Sequence, residues 1–387
     1  MKLLVISHKE IWRDKSSPSG YSTIGGFPMQ MKALSELFDS MKIIAMERSA
    51  VPPNGASWLV GKDLVVIGIP EPKGKNFIRK LSLVGWLLRY FDYLWKEITH
   101  AEVLHTPVPG DIGFIGLIIG LIQRKKIFVR HCGFWGRYTT FFDAVLGNLL
   151  IKISSLKNVI VFATGGGKTP PSLDAPNIKW IFSSSITSEE MKNFVTTKKR
   201  HNKDKIQLIS VGRIVKDKNF QSVVSAMSIL VKEKSIHYHL IGDGEYLSEL
   251  KSLSDNYKLN DAITFHGNLA HYHVFECLQQ ADLFVFPSNS EGFPKAVLEA
   301  MACGLAVIAS NVSVLPNLVT DDCGAILDVD DPKRLVEVIL KLTSDKKKLI
   351  QMGLNGQKKV MDLTIENWGN TIKDELEPYW NVCLRVD

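Results

Sequence analysis

At 387 residues the chain exceeds one ordinary core and suits two domains of about 150–200 residues each. A hydrophobic content of 45% against 22% charged residues excludes long disorder, and a net charge of +7 is too modest to compel nucleic-acid binding. Five cysteines, Cys132, Cys277, Cys303, Cys323 and Cys383, form no C-x-x-C pair, which argues against a disulfide framework or structural zinc and fits a reducing, cytoplasmic compartment.

The first residues, MKLLVIS, have too few apolar positions before His8 and Lys9 for a signal peptide and read as a buried strand. Further apolar runs follow at 41–46, 63–69, 102–106, 126–131 and 158–163. Helical spacing separates them, as in 28–40 with Met31, Leu34, Leu37 and Phe38. The apolar run 112–122 is well short of the roughly 20 residues that span a bilayer. Segment 76–98, NFIRKLSLVGWLLRYFDYLWKEI, is basic, aromatic and amphipathic, and reads equally as a core-facing helix or as one lying on an anionic membrane. The polar stretch 183–205 reads as the link between domains, with a short helix over 188–194. Strands then resume at 205–212, 237–244, 263–268, 283–288, 306–310 and 324–329, with helices at 220–233, 245–257, 271–280, 294–303 and 332–343. This alternation predicts an α/β protein of two Rossmann-like parallel-sheet domains facing a central cleft. The expected domains are 1–185 and 186–364, with 365–387 (Trp368, Tyr379, Trp380) packing back on the first.

In SNSEGFPKAVLEAMAC (288–303), Glu291 and Glu299 are separated by seven residues. Pro294 suits the first helical position, which puts Glu291–Phe293 in a loop at a helix N-terminus and Glu299 inside the helix. Such an end offers N–H groups to anions or sugar hydroxyls. A fully helical spacing would set the carboxylates about 12 Å apart, near the length of a sugar diphosphate with its ribose. Arg213 and Lys218 follow the carboxyl end of an expected strand and supply the cations that a diphosphate needs, although such a pair by itself is usually a solvated surface. Gly25-Gly26 opens the first helix, where a tight turn explains the pair equally well. His131 ends the strand KIFVRH, where a histidine is more often structural.

With its strand–loop–helix–strand context, EGFPKAVLEAMACGLAVIAS resembles the E-x7-E signature of retaining glycosyltransferases of family 4, which adopt the GT-B fold. ISVGRIVKDKN (209–219), LIGDGE (240–245) and FHGN (265–268) resemble that family's V-G-R–K-N segment, G-x-G turn and next strand end. The resemblance implies a metal-independent hexosyltransferase that retains anomeric configuration, using front-face attack with the leaving phosphate as base. It implies a nucleotide-sugar donor, with UDP-glucose or a similar UDP-hexose expected. The acceptor would be a glycan or lipid-linked glycan of exopolysaccharide or cell-envelope synthesis, reached from the cytoplasm, with peripheral contact at the inner membrane face through 76–98 as one option. In this reading Glu291 sets the sugar's pose with Gly292, Phe293, Pro294, Lys295 and Ala296, and Glu299 takes the ribose hydroxyls. Arg213, Lys218 and Gly26 meet the diphosphate, Gly242 and Asn268 border the donor, His131 lies near the transferred sugar, and His105 shapes the acceptor side.

The chain departs from that family in two places. The family's T-x-H-D is V-R-H-C here, without the aspartate, and its Gly-Gly–glutamate loop reads Ser313, Val314 and Asn317. Other signals fail. TGGGKT (164–169) has Phe162 where a phosphate loop needs glycine, and Pro170-Pro171 forbid the helix. Asp328-Val329-Asp330 reads as part of a helix cap rather than a metal motif. No G-x-G-x-x-G follows the first strand, which disfavours a dehydrogenase; a non-catalytic nucleotide- or sugar-binding protein of the same fold is the competing class.

Overall fold

The computed structural model describes residues 1–74, 76–133, 135–136, 140–165, 175–196, 205–328 and 331–385, with backbone alone for 76–78, 80 and 196. The chain divides into two compact units, Met1–Phe182 with Trp368–Asp387, and Ser183–Asn367.

The first unit runs β1 (Lys2–Arg13), β2 (Tyr21–Thr23), α1 (Phe27–Leu37), β3 (Ser40–Arg48), β4 (Ser57–Trp58), β5 (Leu64–Pro70), α2 (Asn76–His100), β6 (Val103–Val108), α3 (Asp111–Ile122), β7 (Lys126–His131), α4 (Phe141–Ile153), β8 (Val159–Thr164) and β9 (Ile178–Ile181). Its parallel strands lie in the order β5-β3-β1-β6-β7-β8-β9; the short β2 pairs antiparallel with the far end of β1, and β4 antiparallel with β2. Strands such as β8, buried at every residue, read as unbroken apolar runs because helices cover both faces. One face packs on α2, α3 and α4 through Trp86, Leu94, Leu117, Leu146 and Leu150. On the other, Phe38, just past α1, stacks on Phe128 of β7.

The second unit comprises α5 (Ser188–Thr196), β10 (Ile206–Val211), α6 (Phe220–Glu233), β11 (Ile236–Ile241), α7 (Leu247–Asn256), β12 (Ile263–Gly267), α8 (His271–Gln280), β13 (Leu283–Phe286), α9 (Lys295–Ala302), β14 (Ala306–Ser310), α10 (Leu315–Leu318), β15 (Gly324–Leu327), α11 (Pro332–Thr343) and α12 (Lys346–Val360). Its sheet is wholly parallel in the order β12-β11-β10-β13-β14-β15. The order reverses between β10 and β13, the switch point where sheets of this kind bind ligands. A last helix, α13 (Ile365–Trp380), starts in the second unit and belongs to the first from Trp368 onward. There Trp368 and Trp380 are buried, and the Tyr379 hydroxyl donates to Leu156 O at 2.8 Å.

Every run expected as a strand lies on one, while the apolar run 112–122 falls in the helix α3. The reading of 183–205 as a link is corrected over its described part. Ile186 and, on α5, Met191 and Phe194 are core residues of the second unit; residues 197–204 lie outside the described part. The first helix of the E-x7-E segment starts at Lys295, one residue later than expected. The Pro294 carbonyl accepts from Val297 N at 3.0 Å and Leu298 N at 3.3 Å, which makes Pro294 the capping residue. The 291–299 spacing is therefore half loop, and the fully helical 12 Å estimate does not apply. Asp331 caps α11 by accepting from Lys333 N at 2.9 Å, while Asp330 and residues 166–169 lie outside the described residues. No helix among the described residues is long and apolar enough to cross a membrane.

Candidate functional site

At the switch point of the second unit, the loops after β10 and β13 are tied to each other. Beyond β10 the chain passes Gly212 and Arg213, forms a 3-10 turn over Lys216–Lys218, and enters α6 through Asn219 in left-handed conformation (φ 53°). Asn289 N donates to Asp217 O at 2.8 Å, joining this turn to the loop after β13. The Lys218 ammonium pairs with the Glu291 carboxylate, and their side chains are only 14% and 9% exposed. The same ammonium lies 5.5 Å from the centroid of the Phe286 ring, so its charge is held over an aromatic face. A cation and an anion fixed at one mouth are matched to a ligand carrying both phosphate oxygens and hydroxyls.

Neighbouring loops are packed against this pair. Gly242 ends β11 with φ 138°, and a Cβ there would lie 1.9 Å from Gly212 O. Only glycine lets the two strand ends approach so closely. Ser310 donates to Ser288 O, and Ser288 donates to Ser290 O at 3.0 Å, which fixes the start of the SNSEGFP loop. Ser313 adopts φ 52°, the conformation a glycine would take without strain, and its hydroxyl donates to Gly292 O at 2.9 Å. The departure from the Gly-Gly pattern is thus accommodated by a side-chain hydrogen bond to the glutamate loop itself. Asn317 is exposed on α10.

Glu299, on α9, accepts from the Ser185 hydroxyl. Nearby, His271 opens α8 and faces Glu190 of α5, with Nε2 to Oε1 at 3.3 Å. Burial lowers the His271 pKa, but the hydrogen bond and charge of Glu190 and the charge of Glu299 outweigh it, so the net shift is upward; Lys295 opposes them. Glu190 is held in turn by Thr187 N at 2.8 Å and the Thr187 hydroxyl at 3.0 Å. Ser185, Glu190 and His271 were not legible in the sequence, because Ser185 and Glu299 are 114 positions apart and no spacing links them.

Among the expected residues, the second unit thus joins Lys218 to Glu291, sets Gly292–Ala296 at the start of α9, and puts Gly242 against the β10 loop. Arg213 is exposed in the β10 loop, and Asn268 is exposed just beyond β12. In the first unit, Gly26 caps α1 at φ −77°, while Gly25 takes the left-handed φ of 75°, so the turn requires its glycine at 25 rather than 26. His131 meets the Trp135 ring edge-on at 5.3 Å, and burial pushes its pKa down to about 4 against the opposing charge of Asp143. His105 is 1% exposed, stacked on Phe128 at 4.2 Å, and donates from Nδ1 to Phe128 O at 2.9 Å when neutral.

Residues 191–359, which hold Lys218, Glu291, Glu299 and His271, match the family model for glycosyl transferases group 1. Over 287 residues the chain is 26% identical to an uncharacterized glycosyltransferase of Methanocaldococcus jannaschii, covering 68% of this chain and 70% of the relative. It is 29% identical over 241 residues to the alpha-monoglucosyldiacylglycerol synthase of Streptococcus pneumoniae, a match spanning 57% of this chain and 54% of that protein. The crystal structure of Anabaena HepE in complex with UDP and glucose superposes with a TM-score of 0.70 at 13% identity, covering 97% of this chain and 99% of that one. The chain therefore has the GT-B fold of such glycosyltransferase structures, and residues 191–359 of its second unit are similar to the group 1 glycosyl transferases.

Proposed function

We propose that the protein is a retaining, metal-independent glycosyltransferase that moves a hexosyl group from a UDP-sugar, UDP-glucose in the first instance, to a glycan or lipid-linked glycan acceptor. The observation that carries this reading is the Lys218–Glu291 pair at the switch point, inside the segment that matches the group 1 family. Without donor the two side chains neutralise each other. With donor bound, Lys218 turns to the diphosphate with Arg213, and Glu291 accepts from the sugar hydroxyls. The N–H groups of the α9 first turn, at Phe293, Lys295 and Ala296, hold the sugar from the other side. Glu299, oriented by Ser185, takes the ribose hydroxyls, and Gly242 and Asn268 border the nucleotide.

In the transfer step the acceptor oxygen bonds to the anomeric carbon as the bond to the diphosphate breaks. The electron pair leaves with the diphosphate, and the acceptor's proton passes to the departing phosphate oxygen. Lys218 and Arg213 stabilise the charge that grows there, the role a divalent cation plays in other transferases. The UDP and glucose of the HepE complex and the glucosyl-lipid product in the pneumococcal relative's name favour this donor and a role in envelope glycan or glycolipid synthesis. The decisive assay incubates the protein with UDP-glucose and lipid or glycan acceptors and reads UDP release and product anomeric configuration by NMR. An α-linked product supports the reading; a β-linked product contradicts retention.

Peripheral membrane contact is part of the same reading. On α2, Trp86, Leu94 and Ile98 enter the core, while Leu81, Val84, Leu88 and Phe91 form an exposed apolar stripe at helical spacing, Leu88 being 80% exposed. Arg89 and Lys96 are exposed on the same helix. A helix with one face in the core and an apolar, basic-flanked face outside is suited to an anionic bilayer surface. Flotation with phosphatidylglycerol vesicles is expected to carry the wild type and to lose at least about 80% of the bound fraction with Leu88→Glu, since an exposed charge there faces the acyl boundary. Equal flotation of both would remove this contact from the account.

A further inference from the structure

We propose that Arg130, Trp368 and His105 form a buried oxyanion site in the first unit, able to take a phosphate or carboxylate group. Arg130 is the next-to-last residue of β7, in register with Pro107 of β6 and Phe162 of β8, at the carboxyl edge of the sheet. Ligands gather at that edge in parallel sheets. The residue is 5% exposed, yet its Nε and Nη1 have no hydrogen-bond partner. No acidic side chain among the described residues pairs with it. Its guanidinium lies 5.1 Å from the centroid of the Trp368 ring, which orients the plane but supplies no counter-charge.

Two further unpartnered groups share this side of the sheet. The Trp368 indole N–H is fully buried and bonds to nothing. His105 spends its Nδ1 proton on Phe128 O, so its buried Nε2 is a bare acceptor. Burial and the neighbouring Arg130 charge push the His105 pKa down to about 3, so the ring stays neutral beside the guanidinium. A planar fork of N–H donors, an indole N–H and one bare nitrogen match an oxyanion that also carries an O–H, such as a monoprotonated phosphate. An isolated buried cation is costly, and a bound oxyanion removes that cost. This site belongs to the first unit and stands independently of the donor reading.

The test is thermal unfolding of the full chain titrated with inorganic phosphate, with sodium chloride at matched ionic strength as baseline, and with acetate and a hexose phosphate as parallel arms. Arg213→Ala serves as the background, so that phosphate at the β10 loop does not contribute. A saturating rise in Tm above the chloride baseline is expected, absent in Arg130→Met and partly kept in Arg130→Lys. The arm with the lowest midpoint identifies whether phosphate, sugar phosphate or carboxylate is the group preferred. If Arg130→Met fails to fold, Trp368→Phe keeps a ring under the guanidinium and removes the indole donor. Its phosphate midpoint should rise at least threefold. No rise above chloride, the same rise in Arg130→Met, or an unchanged midpoint in Trp368→Phe overturns the proposal.

Discussion

Lys218→Met is expected to lose activity and stability together, while the double variant Lys218→Met/Glu291→Gln recovers the stability and not the activity. The two side chains are 14% and 9% exposed and satisfy each other's charge. Removing Lys218 alone leaves a largely buried carboxylate unpaired. Fully buried pairs lose about 3–5 kcal/mol in this way, and for this partly exposed pair about 2–3 kcal/mol is expected. That corresponds to roughly 4–10 °C in Tm for a unit of this size. Neutralising Glu291 as well removes the orphaned charge, so the melting point should return to within about 3 °C of wild type. Transfer should remain down by about 10²–10³, the cost of deleting one electrostatic group that stabilises a leaving oxygen. Melting curves and UDP release on the same preparations check both halves. Recovery of activity in the double variant would reduce the pair to a structural one.

The second large effect falls on a glycine. Gly242→Ala is expected to destabilise the second unit by more than about 4 kcal/mol, a size reserved for backbone collisions and comparable faults. Its φ is 138°, and an added Cβ would stand 1.9 Å from Gly212 O, so backbone rather than a flexible side chain must move. Gly267 supplies the control. It too has positive φ, 67°, but a Cβ there meets nothing within 4 Å. Gly267→Ala should therefore cost only the left-handed strain of about 1–2 kcal/mol. Denaturant unfolding of both variants separates the contributions. Similar losses would mean that the approach of the two strand ends is not what Gly242 provides.

The sheets were legible because strands covered on both faces are written as unbroken apolar runs, as in VIVFAT of β8 and AVIAS of β14. The pieces that escaped are short or obey no period. β2, β4 and β9 have three, two and four residues, and α12 hides its apolar positions among lysines and two glycines. The ends of the site were legible through residue type, Glu291 and Glu299 in one segment and Lys218 in another. Their contacts were not, since Lys218 and Glu291 lie 73 positions apart and only the strand order brings them to one mouth. Arg130 was invisible for a different reason. Sequence predicts that an arginine stays solvated, and only the burial of β7 between two helical layers shows that its guanidinium is enclosed.

In the proposed reading the second unit binds a nucleotide-sugar donor through Lys218, Glu291 and Glu299. That binding is tested most directly by the melting temperature of the full chain against a panel of nucleotide diphosphates and nucleotide sugars, repeated for Glu299→Ala. A ligand at 100 times its dissociation constant should add about 2.7 kcal/mol, several degrees for a protein of this size. A rise with UDP and UDP-glucose, strongly reduced in Glu299→Ala, is expected. No rise with any nucleotide, or a rise that Glu299→Ala leaves intact, would contradict it.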